Sequence, residues 1–133
     1  MVLMGVLAVE DALRAMKEGV DGIWVSKHGG RQFDGAPSPV RILPEMRRAL
    51  GGDTLLIVDS GIRSGLDIAR MLSLGADFTM LGRPFLFGTA ALGEAGATHV
   101  VDILKDELTN ILAQTGCRNP TEPRALQQFG VSE

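Results

Sequence analysis

Residues able to carry acid–base and anion-binding chemistry are concentrated in one glycine-rich stretch that contains Ser26, His28 and Arg31. A histidine exchanges a proton near neutral pH, and an arginine holds a carboxylate through two parallel charge-assisted hydrogen bonds. Gly29 and Gly30 lie between them and allow the backbone to approach a flat or charged ligand closely. The alternative is an ordinary loop with a solvated histidine and arginine, and these residues alone leave both interpretations open.

Two further clusters combine glycine with arginine. Their members are Asp59, Gly61 and Arg63 in the first, and Gly82 and Arg83 in the second. Glycine exposes backbone N–H groups and the guanidiniums add positive charge, which is the composition of a phosphate-binding cradle. A short helix beginning at Pro84 would turn the positive end of its dipole toward the same ligand. The alternative is that the glycines only turn the chain and the arginines pair with surface acids.

The elements that must position these clusters alternate between strand and helix. Apolar runs predict strands at residues 2–4, 23–25, 54–58 and 78–81. Helical patterns follow at 10–18, after the N-cap candidate Ser64 as far as Gly75, and at about 97–115 as a helix covering the sheet. Another helix begins either at Pro39, with Ser38 as its N-cap, or at Pro44.

A short internal repeat indicates how these elements are arranged. Residues 13–25 read as helix, Gly-Val-Asp and strand, and residues 71–81 read as helix, Gly-Ala-Asp and strand. Because no hairpin signal separates the units, the sequence predicts an α/β fold with a parallel sheet and right-handed crossovers. The carboxyl ends of parallel strands share one face, as in a (β/α)₈ barrel, so the three polar clusters are expected to meet there.

Other side chains are predicted to be structural. Trp24 and Phe78 lie within strand runs and are interpreted as core residues, His99 as solvated and Cys117 as an inert residue at a helix end. His28 and His99 are far apart without further ligands between them, so no metal site is predicted.

Composition narrows the class of protein. The chain has 133 residues, a net charge of −3 and a pI near 5.4, which makes nucleic acid an improbable partner. A single cysteine fits a reducing cytoplasm, and the apolar opening segment is interpreted as a buried strand instead of a signal peptide. We expect one domain over residues 1–117 and an irregular tail over 118–133.

Three motifs carry a resemblance to a known family. They are GVDGIWVSKHGGRQFDG at 19–35, DSGIRSG at 59–65 and LGRP at 81–84. Together they resemble the C-terminal half of the FMN-dependent α-hydroxy-acid oxidases and dehydrogenases, which include glycolate oxidase and L-lactate dehydrogenase. The similarity runs from about Gly5 to Asn119. It implies the C-terminal half of a TIM (β/α)₈ barrel, built from four parallel strand–helix units.

The resemblance also implies roles for individual residues. His28 matches the catalytic proton acceptor, which also binds substrate, and Arg31 matches the ligand of the substrate carboxylate. The residues that match FMN contacts are Ser26, Asp59, Ser60, Gly61, Ile62, Arg63, Gly82 and Arg83. The implied reaction is oxidation of a small L-2-hydroxy acid to the 2-oxo acid, with electrons passing to FMN and the protein acting as a homo-oligomer.

The chain departs from the family pattern at two positions and in length. Met4 replaces a lysine near the flavin, so reduced flavin should be stabilised less, and Lys27 replaces an asparagine beside His28. A complete barrel takes about 250 residues, and the family's substrate-binding tyrosines and its histidine-orienting aspartate belong to the N-terminal half. Two interpretations therefore stand: a half that is active with its missing partner half, or a catalytically silent half-barrel that self-associates and at most binds FMN or phosphate. A different phosphate-binding barrel, such as a nucleotide dehydrogenase, would leave His28 and Arg31 unexplained.

Overall fold

A parallel sheet of four strands forms the centre of the structure, a computed structural model that describes residues 1–125. The strands are β1 (Val2–Val6), β2 (Gly22–Val25), β3 (Leu55–Val58) and β4 (Phe78–Thr79). They lie side by side in chain order, and each neighbouring pair is parallel. The predicted α/β fold with a parallel sheet is confirmed.

A helix follows each strand, and a long fifth helix closes the series. The helices are α1 (Val9–Lys17), α2 (Pro39–Leu50), α3 (Gly65–Ser73), α4 (Arg83–Leu92) and α5 (Gly96–Gln114). Single 3₁₀ turns occur at His28–Gly30, Gly93–Ala95 and Glu122–Ala125. The fold is thus a series of strand–helix units, as predicted, with α4 beginning one residue before Pro84.

The structure settles one helix boundary that the sequence left open and shortens one predicted strand. Helix α2 begins at Pro39 and continues through Pro44, so the second proline is tolerated inside the helix although it has no N–H to donate to the preceding turn. Strand β4 ends at Thr79, although the apolar run continues to Leu81. The Met80 N–H still donates to the Val58 carbonyl at 2.8 Å, after which the backbone turns away.

One face of the sheet forms the core. Successive side chains of a strand point to opposite faces, and Ile23 and Val25 of β2 and Leu56 and Val58 of β3 are fully buried on the same side. They pack in one cluster with helix residues such as Leu43. The helices therefore cover this face and fix the strands from behind.

The opposite face carries an apolar row that consists of Met4, Trp24, Ile57 and Phe78. These residues are in register across all four strands. Met4 is 42% exposed and Phe78 61% exposed, while Trp24 is half-buried. The prediction that Phe78 is a core residue is therefore wrong. A sequence cannot show which face of a strand lacks a cover, and in a closed barrel this face would line the interior.

The internal repeat is visible in the backbone. Gly19 and Gly75 end their helices with positive φ angles of +88° and +111°, which glycine adopts without a steric penalty. Two residues later, the Asp21 and Asp77 N–H groups each donate to a carbonyl of the adjacent chain segment at 2.8 Å. The same helix-to-strand turn is therefore used twice.

Helix α5 packs against α3 and α4, not against the sheet as predicted. Glycines permit the close approach: a Cβ on Gly65 would lie 2.3 Å from the Leu108 nitrogen, and one on Gly96 would lie 2.1 Å from the Gly88 oxygen. In the predicted tail, residues 118–121 form bends and turns and the 3₁₀ turn at Glu122–Ala125 lies against α3. Residues 126–133 fall outside the described residues.

Candidate functional site

Three loops at the carboxyl ends of β2, β3 and β4 converge on one open cleft of about 1090 Å³. The predicted site residues that line it are His28, Arg31, Asp59, Ser60, Gly61, Ile62, Gly82 and Arg83. Met4 and Trp24 of the apolar row also line the cleft. The expectation that these clusters meet at the end of the sheet is confirmed.

Ser26 and Arg63 are the predicted site residues that do not line the cleft. Ser26 is only 1% exposed, and its Oγ accepts a hydrogen bond from the His28 N–H at 3.0 Å, so it lies beneath the His28 loop. The Arg63 side chain is exposed, and its backbone N–H donates to the Asp67 carboxylate at 3.1 Å. Sequence position places both residues correctly at strand ends but does not give the direction of their side chains.

His28 and Arg31 occupy one tight turn at the mouth of the cleft. His28 has a positive φ of 52°, which is uncommon for a residue with a side chain, and the Arg31 N–H donates to the His28 carbonyl at 3.4 Å. The Arg31 side chain is exposed to the cleft. An imidazole and a guanidinium are thus held on the same short piece of backbone.

The Ser60 hydroxyl joins the β2 loop to the β3 loop. It accepts hydrogen bonds from the Lys27 N–H at 3.2 Å and the Gly29 N–H at 3.3 Å, and it donates to Asp59 Oδ1 at 2.7 Å. Ser60 itself has a φ of +73°. Backbone held in this region is a mark of functional sites, where the surrounding contacts outweigh its cost. The sequence prediction included Ser60 as an FMN contact, but not its role in holding the His28 turn.

The charge of Lys27 lies outside the cleft lining. Its ammonium lies 3.9 Å from the carboxylate of Asp34, and the residue is absent from the cleft lining. The cation that stands where the resemblance expects an asparagine therefore pairs with Asp34 and does not line the cleft. Met4, which replaces the family's lysine, does line the cleft.

The two helices that begin near the cleft differ at their N-termini. In α3, the Ser64 hydroxyl accepts from the Asp67 N–H at 3.1 Å, and the Glu107 carboxylate accepts from the Gly65 N–H at 2.7 Å. In α4, Gly82 is the N-cap, no side chain caps the helix, and the first turn carries Arg83 and no acid. Because free N–H groups and the helix dipole attract anions, the N-terminus of α4 is the better place for a phosphate.

The strand that borders the cleft contains a residue that the sequence prediction missed. Gly5 lies in β1 at a register shift between Met4 and Val6, directly against the His28 imidazole. The only signal in the sequence is a glycine inside an apolar strand, a position that often marks a bulge or a close approach.

Two classes of feature are absent from residues 1–125. No group of three histidine, cysteine, aspartate or glutamate side chains lies close enough to hold a metal ion. In the same part of the chain, no helix combines the length and apolar character needed to cross a bilayer.

Comparison with known proteins identifies the family to which this chain belongs. The profile of the FMN-dependent dehydrogenases matches residues 1–127. The chain belongs to this family. L-lactate dehydrogenase from Vibrio cholerae serotype O1 is 48% identical over 122 residues, an overlap that covers 92% of this chain and 32% of the relative. This member of the FMN-dependent dehydrogenase family thus spans about a third of the length of the curated relatives it matches.

Solved structures of the family superpose closely on the chain. A mandelate oxidase structure has a TM-score of 0.90 at 41% identity, covering 93% of this chain and 38% of the oxidase. A structure described as the monotopic membrane protein (S)-mandelate dehydrogenase has a TM-score of 0.86 at 43% identity, covering 90% and 32%. These neighbours are TIM-barrel flavoenzymes, so the predicted barrel half is confirmed, as is FMN as the cofactor of the family.

Proposed function

We propose that this chain is the C-terminal half of an FMN-dependent enzyme barrel that oxidises a small L-2-hydroxy acid, of the lactate or glycolate type, to the 2-oxo acid. It acts together with the N-terminal half of the barrel. The observation that supports this is the single cleft that contains His28 and Arg31 together with Gly82 and Arg83.

The cleft offers suitable partners for each part of FMN. Gly82 and Arg83 combine a helix N-terminus with a guanidinium for the phosphate. Asp59, Ser60 and Gly61 present polar groups for the ribityl chain, as the resemblance implies. Met4 and Trp24 form an apolar wall of the cleft. The residues present therefore fit a flavin mononucleotide.

Catalysis divides between the cofactor and the protein. FMN, when bound, accepts the two electrons of the oxidation. Arg31 holds the substrate carboxylate by a bidentate pair, and the His28 imidazole takes a proton from the substrate. Ser26 and Ser60 hold the backbone of the His28 turn, so the base and the carboxylate ligand keep a fixed relation to each other.

A second candidate function is a catalytically silent half-barrel that self-associates. It is favoured by Met4, a thioether in the cleft where the family carries a cation, and by the exposed apolar row, which includes Phe78 at 61% exposure. Both candidates need a cover for this row, supplied by the missing half or by a second copy. We further propose a homo-oligomer located in the cytoplasm.

Titration of the purified 133-residue chain with FMN tests the cofactor site. We expect the flavin absorbance spectrum to shift on binding, and Arg83→Ala to weaken FMN roughly 10-fold or more, the effect of losing one charge-assisted bond. Arg48→Ala is the matched control, because this arginine is exposed on α2 and lies outside the cleft lining. Failure of the wild-type chain to bind FMN, or an equal loss in both variants, would contradict the proposed phosphate position.

A chimera tests the reaction. This chain would replace the matching region of the Vibrio cholerae L-lactate dehydrogenase, to which it is 48% identical over 122 residues. If the chain is half of an active enzyme, we expect the chimera to bind FMN and to oxidise L-2-hydroxy acids with an artificial electron acceptor. A folded, yellow chimera without turnover would favour the silent half-barrel.

A further inference from the structure

A glycine in β1 faces the imidazole of His28. A Cβ built on Gly5 would lie 2.7 Å from His28 Nε2, 3.4 Å from Cε1 and 3.7 Å from Cδ2. The first distance is shorter than real Cβ contacts allow, and all three atoms belong to the ring. We infer that Gly5 is a positioning residue: its missing side chain creates the space in which the His28 ring lies.

The backbone of His28 cannot move away from this contact without breaking other bonds. Its N–H is bound to the buried Ser26 hydroxyl at 3.0 Å, and the next N–H, that of Gly29, is bound to Ser60 Oγ at 3.3 Å. A methyl group at position 5 would therefore displace the ring about its side-chain torsions and leave the loop in place. The direction of the imidazole in the cleft is thus set from β1.

The local shape of β1 supports the same role. Gly5 has a φ of +87°, and the pairing of β1 with β2 shifts register between Met4 and Val6. Such bulges re-aim the backbone beside functional sites, and glycine adopts positive φ at no steric cost. Met4, the residue before the bulge, lines the same cleft as His28. The bulge therefore brings the bare Cα of Gly5 to the ring.

The importance of this position for catalysis rests on the proposed function of His28, but the packing itself is tested without turnover. The chain contains two histidines, His28 and His99, so its ring C–H resonances in an NMR spectrum are few and can be assigned with His99→Asn. His99 is exposed and serves as an internal reference.

Gly19 provides a matched control for the backbone strain that an alanine would cause at position 5. Gly19 has a φ of +88°, against +87° for Gly5, and a Cβ on Gly19 would meet nothing within 4 Å. We expect Gly5→Ala to shift the His28 ring resonances while those of His99 remain unchanged. Gly19→Ala should leave both histidines at their wild-type positions. Unshifted His28 resonances in folded Gly5→Ala, or an equal shift in both variants, would overturn the inference.

If Gly5→Ala is too unstable for NMR, a double-mutant cycle of Tm values measured by thermal unfolding tests the same contact. In a His28→Ala background, the loss of Tm caused by Gly5→Ala should become smaller, because the ring that opposes the methyl group is gone. The loss caused by Gly19→Ala should be the same in both backgrounds. A Gly5→Ala loss that does not depend on His28 would overturn the inference. A chain that neither binds FMN nor supports oxidation, yet shows this coupling, would contradict only the proposed function.

Discussion

Arg31 is a residue whose shape matters as much as its charge. It lies exposed at the cleft on the same turn as His28, where its planar fork can meet both oxygens of a carboxylate. A lysine would keep the charge but lose the paired geometry. The proposed substrate interaction therefore depends on an arginine at this position.

Replacing Arg31 by lysine in the chimera tests that requirement. A charge-assisted hydrogen bond contributes about 1.5–3 kcal/mol, so losing one of the pair should raise KM for an L-2-hydroxy acid by roughly 10- to 150-fold. Lys27→Gln is the control in the same loop, because the Lys27 ammonium lies beside Asp34 outside the cleft lining. Steady-state kinetics that give the same KM for Arg31→Lys and the parent would remove Arg31 from the substrate site.

Site residues with a distinctive functional group could be identified from the sequence, whereas site residues without one could not. His28, Arg31 and Arg83 stood out because imidazole and guanidinium groups followed apolar runs, and the structure brings them to one cleft. Gly5 has no functional group, and its contact with His28 arises only when β1 and β2 pair. The position of the Lys27 ammonium beside Asp34, outside the cleft lining, is likewise a property of the folded loop.

At the scale of elements, one arginine joins several turns. Arg47 of α2 donates to the Gly75 carbonyl at 2.8 Å, to the Gly51 carbonyl at 2.7 Å and to the Thr54 carbonyl at 2.8 Å. Its Nη2 lies 2.6 Å from Asp77 Oδ2, and the side chain is only 16% exposed. The arginine therefore ties the end of α2 to the start of β3 and to the turn that leads into β4.

Arg47→Ala should destabilise the fold strongly for a single substitution. It removes the donor of two partly buried carbonyls, those of Gly75 and Thr54, together with an ion pair of low exposure. We therefore expect a loss of about 2–3 kcal/mol in the free energy of unfolding. Arg48→Ala is the control, since Arg48 is the adjacent arginine of α2 and is exposed. Denaturant unfolding would measure both; similar midpoints for the two variants would show that the hydrogen bonds of Arg47 contribute little.

Element types were predictable because each strand–helix unit carries its own signals. The Ser64 cap is confirmed by its hydrogen bond from the Asp67 N–H at 3.1 Å. What a helix covers was harder to predict: the apolar stripe of α5 faces α3 and α4, because glycines such as Gly65 and Gly96 allow close helix contacts. Periodicity identifies a buried face but not the element that buries it.

At the scale of the whole molecule, the apolar row and the cleft are parts of one surface. Met4 and Trp24 belong to both, so the face that needs a cover is continuous with the face that is proposed to bind FMN. Under the proposed function, this face is half of a binding site, and the N-terminal half of the barrel would complete both the packing and the substrate pocket. The sequence motifs predicted that the chain is only half of a barrel, because all three motifs fall in the C-terminal part of the family pattern.

A substitution at Met4 can distinguish the two candidate functions. A cation beside the flavin stabilises the negative charge that develops as the flavin is reduced, and a thioether does not. We therefore expect Met4→Lys in the chimera to raise the reduction potential of the bound FMN. It should also raise the turnover number, by on the order of 100-fold if the effect matches the loss of one oxyanion-stabilising group.

Leu3→Lys provides a matched control for Met4→Lys. Leu3 and Met4 are neighbours in β1 and are each 42% exposed, but they point to opposite faces of the sheet, and only Met4 lines the cleft. The same added charge at Leu3 should therefore leave the flavin potential and the turnover number near those of the parent chimera. If both lysines change them equally, the effect is one of net charge, and Met4 does not limit catalysis. If only Met4→Lys restores turnover to an inactive chimera, the natural chain is the silent form, and one side chain accounts for its silence.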